Sequence, residues 1–182
     1  MNVIGIISSP RKNGNTETLV HAVLEGATSA GHHTSTVHLN DLKFVGCQAC
    51  NYCKAHEGCK QKDDLSKVLE DIRKADAVIF STPIYFGQLN GQFRLFEDRM
   101  FSFIDATFSS NLKPGKKAVI VTSQGNPDPK AFENASKEFG KIMSMAGFKV
   151  VDTITMSNGN NPHAVKERKD LLEEAKKVGA AL

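Results

Sequence analysis

The stretch VIGIISSPRKNGNTETLVHAVLEGA, residues 3–27, decides the fold. Its first five residues are a continuously apolar run, which is typical of a strand that helices bury on both faces. A polar turn follows at residues 8–15, and beyond it apolar side chains recur at helical spacing, at Leu19, Val20, Val23, Leu24 and Ala27. This order predicts a strand at 3–7, a loop, and a helix at 16–30.

The same alternation of strand and helix patterns continues along the chain. Further strands are predicted at residues 34–39, 77–81, 117–122 and 148–156, and further helices at 64–74, around 89–103, 132–145 and 164–178. Two parallel strands must be joined by a crossover connection, which a helix usually supplies. The pattern therefore predicts an α/β doubly wound sheet of five parallel strands in a single domain, 1–182. Right-handed crossovers favour the flavodoxin-like strand order 2-1-3-4-5, whose ligands bind beyond the carboxyl ends of strands one, three and four. The loops after Ile7, Ser81 and Thr122 are therefore the candidate sites.

Length and composition limit the possible functions. The chain has 182 residues, of which 40% are hydrophobic and 24% charged, as is ordinary for one globular domain. Its formal charge of +3 arises from intermixed acidic and basic residues, so nucleic-acid binding is not expected. No apolar run reaches the length of a bilayer, and residues 1–7 lack the basic region of a signal peptide. We therefore expect no membrane association and a reducing, cytoplasmic location.

The loop after the first strand has the composition of a phosphate site. Gly14 allows a tight backbone, and the next helix points its first N–H groups into the loop. Polar groups come from Ser9, Arg11, Asn13, Asn15 and Thr16. The sequence is neither a Walker A motif nor Gly-x-Gly-x-x-Gly, so a terminal monophosphate such as that of FMN fits better than a triphosphate or a dinucleotide. The alternative is that these residues only cap the helix and shape a turn.

The other two loops suit a flat ring. Residues 82–88, TPIYFGQ, place aromatic and aliphatic side chains beside a glycine at the end of a central strand. Ring-packing and backbone contacts are expected from Pro83, Ile84, Tyr85, Phe86 and Gly87. The third loop, at 123–127, is polar, and its Ser123 and Gly125 are candidates for the outer edge of the ring. An ordinary buried loop with a hydrophobic plug is the alternative for the second loop.

All four cysteines, Cys47, Cys50, Cys53 and Cys59, fall within thirteen residues. Three thiols at i, i+3 steps and a fourth shortly after can surround one inorganic centre, and a [4Fe-4S] cube needs four thiolates. Zinc is an alternative, with His56 able to replace a thiol, although zinc knuckles are usually further apart in sequence. Disulfides are a second alternative that a reducing compartment disfavours. The third alternative is that the four cysteines are free thiols in a turn-rich loop.

These segments together resemble a known family. The run SSPRKNGNT, residues 8–16, looks like the FMN-phosphate loop of the NADPH-dependent FMN reductase group of flavodoxin-like proteins. The run TPIYFG, residues 82–87, followed by Gly91-Gln92 and Asp98-Arg99, resembles the isoalloxazine loop of that group. Within the group, the cysteine set resembles the iron-sulfur flavoproteins of methanogens and other anaerobes, whose motif is Cys-x2-Cys-x2-Cys followed by a fourth cysteine.

The resemblance implies FMN in the three loops and a [4Fe-4S] cluster on the four cysteines. Electrons would pass between a carrier such as ferredoxin and a terminal acceptor, with no side-chain acid or base required because the cofactors carry the chemistry. An NAD(P)H-dependent FMN or quinone reductase without a cluster is the second hypothesis, and an electron carrier with no substrate of its own is the third. We expect a homodimer or homotetramer, since six of eleven phenylalanines fall between residues 86 and 108.

Overall fold

A computed structural model describes all residues, 1–182, as alternating strands and helices. The strands are β1 (Asn2–Ile7), β2 (His33–His38), β3 (Ala77–Tyr85), β4 (Gln88–Leu89), β5 (Lys117–Ser123) and β6 (Lys149–Met156). The helices are α1 (Asn15–Ser29), α2 (Asp64–Lys74), α3 (Gly91–Arg99), α4 (Glu133–Met145) and α5 (Lys169–Ala180). Short 3-10 turns occupy Leu39–Asp41, Tyr52–Lys54, Met100–Phe103 and Ala164–Glu167.

The sheet has the order β2-β1-β3-β5-β6, and all of these strands run parallel. The prediction of a doubly wound sheet with the flavodoxin-like order is therefore confirmed. One strand, β4, was not predicted; it pairs only with the end of β3 and runs antiparallel to it. Two helices are also shorter than predicted, because 3-10 turns take up residues 100–103 and 164–167.

Strand β3 is longer than predicted and includes residues 82–85, which were expected to be loop. Pro83 lies inside this extension, in register with Ser123 of β5. The Ser81 carbonyl oxygen accepts a bond from the Ser8 N–H (3.2 Å), so β3 still pairs with the end of β1 at that residue. Pro83 lies two residues further on, where β1 has ended, so its missing N–H breaks no ladder bond.

The hydrophobic core forms two clusters, one on each face of the sheet. The larger has 24 buried residues and packs beneath α2, α3 and α4. Within it Phe80 makes edge contacts with Phe93, Phe139 and Phe148, at centroid distances of 5.4 to 6.4 Å. The smaller cluster has 17 buried residues and packs beneath α1 and α5. No helix of the protein combines the length and the apolarity needed to span a bilayer.

Candidate functional site

A polar cavity of about 150 Å³ lies at the carboxyl ends of β1, β3 and β5, where the fold predicts ligand binding. It brings together nine of the predicted cofactor residues, Ser9, Arg11, Asn15, Thr16, Pro83, Ile84, Tyr85, Ser123 and Gly125. Five further residues complete it, Gly14, Gln124, Gly159, Asn160 and Pro162. The volume is below the roughly 300 Å³ of a typical enclosed ligand pocket, so the cavity fits the polar end of a ligand and leaves a ring system outside.

The amino end of α1 opens into this cavity. Gly14 is the N-cap residue and makes no side-chain capping bond. Its carbonyl oxygen accepts from the Thr18 N–H at 2.9 Å, whereas the N–H groups of Asn15, Thr16 and Glu17 have no partner in the protein. Unpartnered N–H groups at a helix start and the helix dipole both favour an anion.

Arg11 is the only charged side chain among the residues that line the cavity. The loop that presents Arg11 is braced by Ser9, whose Oγ accepts from the Arg11 N–H at 3.2 Å. With one guanidinium and no carboxylate at its wall, the cavity is suited to a phosphate group.

The floor of the cavity is tied together across the sheet. The Thr16 and Ser123 hydroxyl groups share a hydrogen bond of 3.2 Å, which joins α1 to the end of β5. Asn90, the N-cap of α3, links the loop after β1 to the end of β3. Its Oδ1 accepts from Ser8 Oγ at 2.8 Å and from Thr82 Oγ1 at 3.1 Å. Asn90 was not predicted, since its role depends on a contact across 82 residues of chain.

Asn15 has a different role from the one that the sequence suggested. Its side-chain nitrogen donates to the carbonyl oxygens of Gly159 (3.0 Å) and Asn161 (2.8 Å). Its Oδ1 accepts from the Val165 N–H at 3.0 Å. The side chain therefore has no donor left for a ligand and instead holds the loop after β6 against the cavity. Any contact of Asn15 with a phosphate would come from its backbone N–H.

Three predicted residues do not line the cavity, namely Asn13, Phe86 and Gly87. The Asn13 N–H donates to the buried carboxylate of Glu17 at 2.5 Å. Phe86 and Gly87 form a two-residue hairpin turn between β3 and β4, with φ values of 51° and 75°. Positive φ at both positions is the geometry of a type I′ turn, in which Gly87 is favourable and Phe86 is not. Phe86 is fully exposed at the tip of this turn.

The loop after β6 was missed as part of the site. Its residues Gly159, Asn160 and Pro162 line the cavity, and the Gly159 N–H donates to the Gln124 carbonyl oxygen at 2.8 Å. The sequence carried a signal, because the run SNGNNP at 157–162 is polar and rich in turn residues. This loop follows the fifth predicted strand, whereas the flavodoxin-like fold predicts ligand binding in the loops after the first, third and fourth strands.

The four cysteines lie in the segment between β2 and α2 and line one small cavity of about 20 Å³. All four are free thiols; Cys47 and Cys50 are exposed, and Cys53 and Cys59 are partly buried. Burial raises the pKa of the Cys53 thiol above its ordinary value. No three cysteine, histidine or carboxylate side chains converge closely enough to hold one metal ion.

The cysteine segment is compatible with a cluster but is not closed around one. A cavity of this size holds about one water molecule, so a cube would require the loop to open. All four thiols nevertheless line this one cavity, and four thiolates are the ligand set that a cube requires. The backbone is left-handed at Ala49, Asn51 and Gly58, as in a loop that folds back on itself. His56 packs on Tyr52 with ring centroids 4.2 Å apart and does not line the cysteine cavity.

An ion pair anchors this segment to α3. Arg99 Nη1 donates to Asp63 Oδ2 at 2.7 Å and Arg99 Nη2 donates to Asp63 Oδ1 at 3.1 Å, while Nη1 also bonds the Val45 carbonyl oxygen at 2.9 Å. Burial alone would raise the pKa of Asp63, but the bond from Arg99 brings that pKa below its ordinary value. A bidentate arginine–carboxylate pair fixes geometry as well as charge, so both ends of the cysteine segment are held against α3.

Solved structures that share this fold include a quinone oxidoreductase, a flavone reductase and an azoreductase. The NAD(P)H:quinone oxidoreductase from Methanothermobacter marburgensis superposes with a TM-score of 0.74 over 99% of this chain and 98% of its own, at 18% identity. A flavone reductase superposes with a TM-score of 0.75 over 99% of this chain and 61% of its own, also at 18% identity. At such identity these structures show that the fold is shared.

Sequence comparison identifies the family. The iron-sulfur flavoprotein of Methanosarcina thermophila is 30% identical over 134 residues, 74% of this chain and 70% of that protein. An iron-sulfur flavoprotein of Archaeoglobus fulgidus is 30% identical over 128 residues, 70% of this chain and 58% of that protein. The chain spans about half the length of several other iron-sulfur flavoproteins that it matches, at 51%, 48% and 50% of their lengths. The family described as NADPH-dependent FMN reductase matches residues 1–163. The chain therefore belongs to the NADPH-dependent FMN reductase family, in which it is similar to proteins named iron-sulfur flavoproteins.

Proposed function

We propose that the protein is an FMN-dependent oxidoreductase that also carries a [4Fe-4S] cluster and passes electrons between a one-electron carrier, such as ferredoxin, and a terminal acceptor. The observation that carries the proposal is the convergence of three predicted loops on one cavity whose only charged side chain is Arg11. The similarity to proteins named iron-sulfur flavoproteins supports the cluster.

On the flavin side, the protein supplies binding and orientation. Arg11 and the free N–H groups at the start of α1 hold the phosphate, and the Ser9 and Thr16 hydroxyl groups line the same end. Pro83, Ile84 and Tyr85 line the same cavity and would contact the ring of a bound FMN. Tyr85, which is partly exposed, offers an aromatic surface there.

On the metal side, the four thiols that line one cavity are the ligand set a [4Fe-4S] cube requires. When both groups are bound, FMN supplies two-electron and one-electron chemistry and the cluster supplies one-electron chemistry. The residues of the loop provide the ligands, and Arg99 and Asp63 keep the loop in place. Four free thiols fit a reducing, cytoplasmic location.

We further propose that the protein works as a homodimer or homotetramer. Of the phenylalanines between residues 86 and 108, Phe93, Phe96 and Phe103 are fully buried in the core. Phe108 is exposed, and exposed aromatic side chains are typical of interfaces. A gel-filtration volume of a monomer would contradict this assembly.

A second candidate is an NAD(P)H-dependent FMN or quinone reductase without a cluster. One observation favours it, namely that the family that matches residues 1–163 is described as NADPH-dependent FMN reductase. Steady-state assays separate the two functions. Turnover with reduced ferredoxin and an acceptor, without nicotinamide, supports the first candidate. Rapid oxidation of NADPH or NADH by protein that lacks iron supports the second.

A further inference from the structure

Two buried hydrogen-bond donors without partners lie at the wall of the cysteine cavity. They are Nε of Arg99, in a side chain that is 0% exposed, and Oγ of Ser102, in a residue that is 2% exposed. Both residues line the same cavity as the four cysteines. The protein has only three such unsatisfied buried side-chain atoms, so two of the three are at this one place.

Arg99 is held by an ion pair, and Nε is the only one of its three side-chain nitrogen atoms that makes no hydrogen bond. Both terminal nitrogens are used by Asp63 and the Val45 carbonyl oxygen, at 2.7 to 3.1 Å. The guanidinium therefore cannot turn to give Nε a different partner without breaking the ion pair. A buried N–H that is fixed in this way needs an acceptor supplied from the cavity that it lines.

Ser102 is positioned by its backbone. Its carbonyl oxygen accepts from Arg73 Nη2 at 2.5 Å and from Asn111 Nδ2 at 3.2 Å. The hydroxyl group takes no part in these bonds, so it remains able to rotate towards the cavity. Ser102 lies three residues after Arg99, within the 3-10 turn Met100–Phe103 that continues α3.

The only side-chain groups of the cavity that could accept both donors and also carry negative charge are sulfur atoms. No carboxylate is among its lining residues, and the four thiols are. A cube bound by four thiolates has a net negative charge on its sulfur atoms, and hydrogen bonds to those atoms raise its reduction potential because they stabilise the added electron. The positive charge of Arg99 acts in the same direction.

We infer that Arg99 Nε and Ser102 Oγ are hydrogen-bond donors to the sulfur atoms of the bound cluster and that they raise its reduction potential. This inference rests on the proposed function, because it requires the cluster. Arg99 and Ser102 would tune the reduction potential of the cluster through these hydrogen bonds, and neither residue would bind iron.

The test compares the cluster midpoint potential of wild-type protein with that of Ser102→Ala and Arg99→Lys, each reconstituted anaerobically with iron and sulfide. Potentials are measured by EPR-monitored redox titration, and iron and acid-labile sulfide are counted in every sample. Ser144→Ala on the exposed face of α4 and Arg168→Lys at a surface ion pair are the matched controls. Ser102→Ala removes one oxygen from a position fixed by its backbone, so it should fold even where Arg99→Lys does not.

We expect both variants to have lower potentials than the wild type. For Arg99→Lys the midpoint potential of the cluster should fall by about 59 mV, which corresponds to a tenfold weaker preference for the reduced cluster in a one-electron couple. For Ser102→Ala the shift should be smaller and of the same sign, and the controls should not move. Unchanged potential in Ser102→Ala with full iron content overturns the inference and leaves the proposed function standing. Absence of iron and sulfide in the reconstituted wild type overturns the cluster and this inference together.

Discussion

The side chain of Asn15 accepts a hydrogen bond from the backbone N–H of Val165, 150 residues away, at 3.0 Å. The same amide donates to two carbonyl oxygens of the loop after β6. One residue at the start of α1 thus fixes a loop that contributes three residues to the cavity wall. The shape of the cavity depends on contacts between distant segments as well as on the first loop.

Asn15→Asp should weaken FMN binding and lower thermal stability. A carboxylate cannot donate to the carbonyl oxygens of Gly159 and Asn161, and each lost hydrogen bond costs about 1 kcal/mol. FMN affinity is measured by quenching of flavin fluorescence and stability by thermal unfolding of the apoprotein. Asn40→Asp, at an exposed position, is the control and should change neither. Wild-type affinity and melting temperature in Asn15→Asp would contradict this role.

Arg11→Ala should weaken FMN binding about 10- to 100-fold, since a hydrogen bond to a charged group contributes about 1.5 to 3 kcal/mol. Binding of riboflavin, which has no phosphate, should not change. Lys12→Ala is the matched control, because the Lys12 ammonium is exposed and paired with Asp41 at 2.8 Å. An equal loss for FMN and riboflavin would show that Arg11 does not bind the phosphate.

Phe86→Asn should raise the melting temperature of the apoprotein. Asparagine followed by glycine is the favoured pair for a type I′ turn. Because the Phe86 side chain is fully exposed, replacing it loses no buried apolar surface. A melting temperature below that of the wild type would show that Phe86 is held by contacts in an assembly.

The strands and helices could be predicted because they follow from local patterns, and the strand order followed from them through the right-handed crossover rule. Apolar runs of buried strands and helical spacing such as that of Leu19, Val23 and Ala27 need no knowledge of distant residues. The role of Asn90 and the side-chain bonds of Asn15 could not be predicted, because their partners lie 82 to 150 residues away. The turn at Phe86 was missed because a bulky residue at positive φ contradicts local preference.

Glu97→Gln should increase stability at neutral pH and not at acidic pH. Burial raises the pKa of Glu97, although the bond to Arg94 partly offsets it, and its Oε1 has no partner. A carboxyl group whose pKa is raised in the folded state favours folding when protonated, and this contribution is lost as the pH rises through the folded pKa. The melting temperature of Glu97→Gln relative to wild type should therefore increase with pH above the ordinary glutamate pKa. A difference independent of pH would contradict the burial argument.

The central claim, that the cavity at the carboxyl ends of β1, β3 and β5 binds FMN, is tested most directly by anaerobic titration of the wild-type apoprotein with FMN. We predict saturation at one FMN per chain with a yellow protein, and FMN binding weakened about 10- to 100-fold in Arg11→Ala while riboflavin binding stays unchanged. A wild-type protein that remains colourless and leaves flavin fluorescence unaltered at saturating FMN would contradict the account.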